Sequence, residues 1–180
     1  LRVADAGALT FASSVAVDDE DIDLDVTSGA GTVTVQGPVT TTGGGTVTLT
    51  NAGLLDIAPA ADMDLDGAFV QDGAGTVETA GDIVTTGDAV TFATAVTLTD
   101  AAAPVLIDTT AAGVVVTGAT VTFSSTVDAE TSGIEDLTLD AGTGGDIDFD
   151  AAIGAAARLG LLTVRGARNV TADLTVTAAG

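Results

Sequence analysis

The chain has 180 residues with 26 acidic and 4 basic side chains, a formal net charge of −22, and no cysteine, histidine, tyrosine or tryptophan. Hydrophobic residues make up 46% of the sequence, which excludes an intrinsically disordered chain. The negative charge excludes nucleic-acid binding through a basic footprint and disfavours docking on anionic lipid.

Apolar residues alternate with threonine or aspartate along most of the chain. This alternation predicts short strands that are buried on one face. In chain order, the predicted strands cover residues 22–26, 33–35, 47–49, 63–65, 90–92, 96–98, 121–123, 137–139, 147–149 and 174–176. Glycine-rich segments between them predict turns. Residues 151–157 are rich in alanine, but Gly154 interrupts them, and no helix is expected there.

A coarse repeat accompanies the alternation. Residues 29–33 (Gly-Ala-Gly-Thr-Val) recur as residues 73–77, residues 39–43 align with 83–87, and residues 47–49 align with 90–92. Repeats of 20–50 residues are typical of solenoids, and about 20 residues per coil predicts about 9 coils. We therefore predict an all-β, right-handed parallel β-solenoid (β-helix) that forms a single segment over residues 1–180. An antiparallel β-sandwich is the alternative fold.

The two ends of the predicted solenoid lack a recognisable polar capping element. End coils carry unpaired backbone groups, which are a template for further strands. We therefore expect the segment to continue into further repeats of the same chain or to self-associate end to end. No apolar run reaches membrane-spanning length, and direct membrane insertion is not expected.

Several segments resemble the repeats of large bacterial surface exoproteins, the filamentous-haemagglutinin-like and autotransporter-like adhesins. The resemblance is carried by residues 67–71, 81–88, 121–128, 137–149, 152–154 and 159–164. It covers residues 62–180 well and the first third of the chain loosely. It implies a parallel β-helix that is exported to the extracellular space or the bacterial cell surface. It also implies a structural or adhesive role, a glycan or other cell-surface ligand, and no catalytic residue.

The residue types needed for most enzymes are missing from the sequence. Without histidine, cysteine, lysine or tyrosine, the common pairs of nucleophile and base cannot be assembled, and zinc and iron lack their usual ligands. We therefore predict that the chain is not an enzyme and has no certain cofactor. The alternative is a polysaccharide-active β-helix enzyme, because two clustered aspartates can hydrolyse a glycosidic bond.

Three aspartate triplets are the candidate metal ligands, because calcium prefers several carboxylate oxygens. They are Asp21, Asp23 and Asp25; Asp62, Asp64 and Asp66; and Asp146, Asp148 and Asp150. If they lie on neighbouring coils, their carboxylates form ladders that a cation would neutralise. The second triplet matches the opening of an EF-hand loop, but the closing glutamate is absent, since Gly73 stands in its place. The alternative interpretation is that all three triplets are solvated strand faces.

Overall fold

In the part of the chain that the structure describes, alternating apolar and polar residues form 21 short strands, joined by turns. The computed structural model describes residues 2–4, 8–26, 31–100 and 102–172, with residues 2–4 and 23–26 described by their backbone alone. Across these ranges there is no helix, and therefore none that could cross a bilayer. The predicted strand at residues 174–176 lies outside the described residues.

The strands belong to three sheets, named A, B and C. Sheet A contains β1 (Arg2–Ala4), β4 (Ile22–Val26), β7 (Val47–Asn51), β10 (Phe69–Gln71), β13 (Val90–Phe92), β16 (Val121–Phe123), β19 (Asp146–Phe149) and β21 (Asn169–Ala172). Sheet B contains β2 (Ala8–Phe11), β5 (Thr32–Val35), β8 (Leu55–Ile57), β11 (Val77–Thr79), β14 (Val96–Leu98) and β17 (Val127–Ala129). Sheet C contains β3 (Val15–Val17), β6 (Val39–Thr41), β9 (Met63–Leu65), β12 (Ile83–Thr85), β15 (Val105–Asp108), β18 (Leu137–Asp140) and β20 (Leu162–Gly166).

As far as β19 the chain visits sheets A, B and C in turn, and each strand pairs with the strand one coil away. In the last coil, an isolated parallel bridge between Ile153 and Val127 takes the place of a sheet B strand. All the named strand pairs are parallel. The result is a β-solenoid of about six turns. The predicted parallel β-solenoid is thus confirmed, and the antiparallel sandwich is wrong.

The coils are longer than expected, so fewer of them fit into the chain. Val47 pairs with Phe69, 22 residues later, and Phe69 pairs with Val90, 21 residues later. Val90 pairs with Val121 only after 31 residues. The prediction of about nine coils is wrong because turns and one insertion lengthen the coils. The repeat that aligns residues 47–49 with 90–92 therefore spans two coils.

The longest coil contains an insertion at residues 110–119, here called the strap. It lies along the corner between sheets C and A and bridges successive coils. The Ala111 N–H donates to the Thr85 carbonyl at 3.0 Å, and the Val116 carbonyl accepts from the Thr143 N–H at 2.9 Å. Ala111 and Ala112 have φ angles of 50° and 56°, the left-handed region that is costly for residues with a Cβ. Backbone bonds to coils on both sides hold the strap in place.

Phenylalanines stack in the interior of the solenoid against sheet A. Phe92, Phe123 and Phe149 occupy equivalent positions on consecutive strands. Their ring centroids are 5.3 and 5.2 Å apart, and the ring planes differ by 5° and 4°. Phe69 contacts Phe92 at 5.3 Å in a tilted arrangement. This column is fully buried and supplies the bulkiest part of the core.

A buried polar network joins three coils at the carboxyl ends of the sheet A strands, where the chain turns towards sheet B. Gln71 and Asn51 are both 0% exposed, and the Gln71 Nε2 donates to the Asn51 Oδ1 at 2.7 Å. The Gln71 Oε1 accepts from the Ala93 N–H at 3.1 Å and from the Thr94 hydroxyl at 3.2 Å. The Asn51 Nδ2 donates to the Gly53 carbonyl at 2.6 Å. Both amides are therefore satisfied inside the core, as buried polar groups must be.

Candidate functional site

The first aspartate triplet lies on sheet A near the N-terminal end of the solenoid. Asp21 precedes β4, and its Oδ1 accepts a hydrogen bond from the Thr46 N–H at 2.8 Å. Asp23 and Asp25 lie within β4, and Asp23 is aligned with Thr48 of the next strand. The side chains of Asp23 and Asp25 lie outside the described part of the structure.

The second triplet lies on sheet C, around β9. The Asp62 Oδ1 accepts from the Asp82 N–H at 3.0 Å. Asp64 is exposed and is aligned with Thr40 on one side and Val84 on the other. Its two neighbours along the sheet therefore carry no charge.

Asp66, the last member of the second triplet, is bound to two adjacent coils. Its Oδ2 accepts from the Gly44 N–H at 2.9 Å, and its Oδ1 accepts from the Thr86 hydroxyl at 2.7 Å. These hydrogen bonds lower the pKa of the Asp66 carboxyl below its ordinary value of 3.8. The bond from the Thr86 hydroxyl has the largest effect, and the bond from the Gly44 N–H has the next largest. Asp66 thus links three consecutive corners of the solenoid.

The third triplet lies on sheet A near the C-terminal end. Asp146 forms an ion pair with Arg168, and this hydrogen-bonded guanidinium is the main cause that lowers the pKa of Asp146. Asp148 is aligned with Thr122 of the preceding coil, and Asp150 is exposed.

The structure does not bring the three triplets together. The first and third lie on β4 and β19, with four strands between them in sheet A, a separation of about 24 Å. The second lies on a different sheet. Among the residues that the structure describes, no group of three or more acidic side chains is placed to hold one ion. The first and second triplets lie on neighbouring coils but on different sheets, and the third lies several coils away, so the triplets do not form the expected ladders.

A groove on sheet C brings Asp82, which belongs to no triplet, beside two members of the second triplet. It has a volume of about 340 Å³ and is lined by Asp62, Asp64, Asp82 and the strap residues Ala111 and Ala112. Asp82 is missing from the predicted site because it belongs to no triplet. An alignment of β9 with β12 in the sequence would have identified Asp82. It precedes β12 as Asp62 precedes β9, and the two strands are paired.

Asp82 is the half-buried acid of this groove. Its Oδ1 accepts from the Leu106 N–H at 2.8 Å, yet its pKa is raised. Burial is the largest cause, and the nearby charge of Asp62 adds to it, whereas Arg165 acts in the opposite direction. A half-buried carboxyl beside an exposed one is an arrangement that can separate a proton donor from a proton acceptor.

Substitution of Asp66 tests the hydrogen bonds that lower its pKa. Because the folded-state pKa lies below 3.8, the ionised carboxyl contributes stability above that pH, and the contribution is lost as the pH falls through the folded-state pKa. We expect Asp66→Asn to reduce the drop in melting temperature between pH 5 and pH 3. Thermal melts followed by circular dichroism measure this drop. Asp150→Asn is the control for removing one carboxylate, and an equal reduction there would contradict the assignment.

Comparisons with protein-family models, with curated proteins and with solved structures find no match to this chain. The resemblance to bacterial surface exoproteins therefore stays a prediction that rests on the sequence.

Proposed function

We propose that this chain is a structural or adhesive β-solenoid segment of a secreted bacterial surface protein, surface layer or extracellular filament. The observation that carries the proposal is the continuous parallel stack of coils, whose outer surface is acidic and rich in threonine. Such a stack is held together by contacts between neighbouring coils alone, so it can be extended by repetition without a new core. Its charge keeps the rod soluble and prevents lateral aggregation of the sheets.

Labelling of intact cells tests the proposed location. Antibodies raised against the purified chain are expected to bind intact cells of the source organism, and external protease is expected to remove the signal. Antibodies preabsorbed with the purified chain serve as the control. Labelling that appears only after the cells are permeabilised would contradict a surface location.

We further propose that calcium stabilises the folded solenoid, and a separate measurement tests this. A calcium-stabilised solenoid is expected to melt at a higher temperature in calcium than in magnesium, and a chelator is expected to reverse the difference. An ion that binds only the folded state at a hundredfold over its dissociation constant adds about 2.7 kcal/mol. Equal melting temperatures in calcium and magnesium would mean that the aspartates are solvated strand faces.

The groove on sheet C favours a second candidate function, a polysaccharide-active enzyme. In this alternative, Asp82 is the proton donor, because its pKa is raised, and Asp62 is the base or nucleophile. If the chain is a structural or adhesive segment, we expect that it releases no reducing ends when it is incubated with acidic polysaccharides. Release that Asp82→Asn abolishes and Asp150→Asn retains would contradict that expectation and establish the enzyme.

A further inference from the structure

A second groove lies on the outer face of sheet C, next to β18 and β20, whereas the groove of Asp62 and Asp82 lies next to β9 and β12. We call it the strap groove, and its volume is about 270 Å³. A further strand that paired with β20 would lie beside this face and not over it. The lining includes Asp140, Thr143, Arg165 and Gly166, together with the strap residues Gly113 and Val116.

A β-bulge places Arg165 in this groove. Leu139 is aligned with Val164, whereas the next residue, Asp140, is aligned with Gly166, so Arg165 is the extra residue of β20. An extra residue interrupts the ladder and redirects a side chain. Arg165 is exposed, and it forms no ion pair with an acid in the described part of the chain. Its guanidinium is therefore available to a ligand that carries a negative group.

Asp140 supplies the opposite charge in the same groove. Its Oδ1 accepts from the Gly142 N–H at 3.1 Å, and its Oδ2 has no hydrogen-bond donor among the described residues. Gly166 occupies the aligned position of β20, where a Cβ would lie 2.8 Å from the Asp140 Oδ1. The glycine thus leaves the carboxylate uncovered. On its other side Asp140 is aligned with the buried Asp108, and this second acid adds to the attraction for a positive group.

The strap gives the groove an apolar wall. Val116 is 62% exposed, yet its backbone is fixed, because its carbonyl accepts from the Thr143 N–H at 2.9 Å. An exposed valine beside two opposite charges is a surface that the apolar part of a small ligand can cover. The groove therefore combines a positive group, a negative group and an apolar contact.

We propose that the strap groove binds a free α-amino acid with an apolar side chain. Arg165 holds the carboxylate, Asp140 holds the ammonium group, and the ligand side chain packs on Val116. Both polar contacts are charge-assisted hydrogen bonds. A single amino acid fits a groove slightly smaller than the pockets of about 300–1,000 Å³ that hold drug-sized ligands. A zwitterion has no net charge, so the chain's net charge of −22 does not repel it as it repels an anion.

Titration of L-leucine into the isotope-labelled chain, followed by amide NMR spectra, tests the proposal. We expect saturable shifts of the Gly142, Thr143 and Gly166 signals, since these residues line the groove. N-acetyl-leucine lacks the ammonium group and leucinamide lacks the carboxylate. Each is expected to bind about tenfold more weakly, because one charge-assisted hydrogen bond is lost. Equal affinity for all three ligands would overturn the assignment of the two charges.

Two substitutions assign each charge to its ligand group. Arg165→Gln and Asp140→Asn are each expected to weaken leucine binding about tenfold. The asparagine can still accept from the Gly142 N–H, so the local fold is kept. Arg165→Gln is expected to bind leucine and leucinamide equally, and Asp140→Asn is expected to bind leucine and N-acetyl-leucine equally. This pairing of substitution with ligand is the coupling that a general loss of structure would not produce.

Arg158→Gln and Asp150→Asn are the matched controls, because they make the same chemical changes at exposed positions outside the groove. Both are expected to bind leucine like the parent chain, and circular dichroism establishes that every variant is folded. A parent chain that shows no saturable shift, as when Arg165 turns to pair with Asp140, would overturn the proposal. Controls that weaken binding as much as the groove variants would do the same. Neither result affects the surface-labelling experiment, so the amino-acid site and the structural role fail separately.

Discussion

Phe123→Ala is expected to lower the free energy of unfolding by about 3–5 kcal/mol. Phe123 is 1% exposed and stacks between Phe92 and Phe149, with ring centroids 5.3 and 5.2 Å away. Removing the middle ring takes away both stacking contacts and leaves a cavity, because the strands on either side are fixed by their hydrogen-bonded ladders. Urea unfolding followed by far-ultraviolet circular dichroism measures the effect, since the chain has no tryptophan or tyrosine for fluorescence.

Phe11→Ala is the matched comparison for this substitution. Phe11 is half-buried in the first coil and lies outside the stacked column. Its substitution is expected to cost clearly less than that of Phe123, because less apolar surface is returned to water. Equal losses for the two variants would show that the column adds nothing beyond the burial of single rings.

Gln71→Leu is expected to cost about 1–3 kcal/mol, although leucine is the more hydrophobic residue. The substitution leaves the Asn51 Oδ1 without the donor at 2.7 Å and removes the acceptor of the Thr94 hydroxyl at 3.2 Å. Asn51 is 0% exposed, so water cannot replace the lost donor without opening the corner between sheets A and B. The same urea titration measures the loss.

Gln36→Leu provides the control, because it makes the same chemical change at an exposed position between β5 and β6. It is expected to change the free energy of unfolding by less than about 0.5 kcal/mol. If Gln71→Leu proved neutral or stabilising, the buried amides would not be needed for stability at this corner.

Local alternation was enough to predict nine of the 21 described strands. The predicted strand at residues 121–123 matches β16, and the one at residues 63–65 matches β9. Successive side chains of a strand point to opposite faces of the sheet, so the alternation alone decides which ones face inward. This holds whichever strand lies next to it. The recurring Val-Thr-Phe of residues 90–92 and 121–123 was also the signal that could have predicted the phenylalanine stack.

The sequence by itself determined the strongly alternating strands, the fold class and the net negative charge, because these depend on local periodicity and on composition. Only the tertiary structure decided which residues are neighbours across coils. Along sheet A, coil length varies from 21 residues between Phe69 and Val90 to 31 between Val90 and Val121, so the register could not be extrapolated from an assumed repeat. That register placed Asp82 beside Asp62 and kept the three triplets apart. Contacts between strands distant in sequence depend on the accumulated length of every turn between them, which alternation within a single strand does not specify.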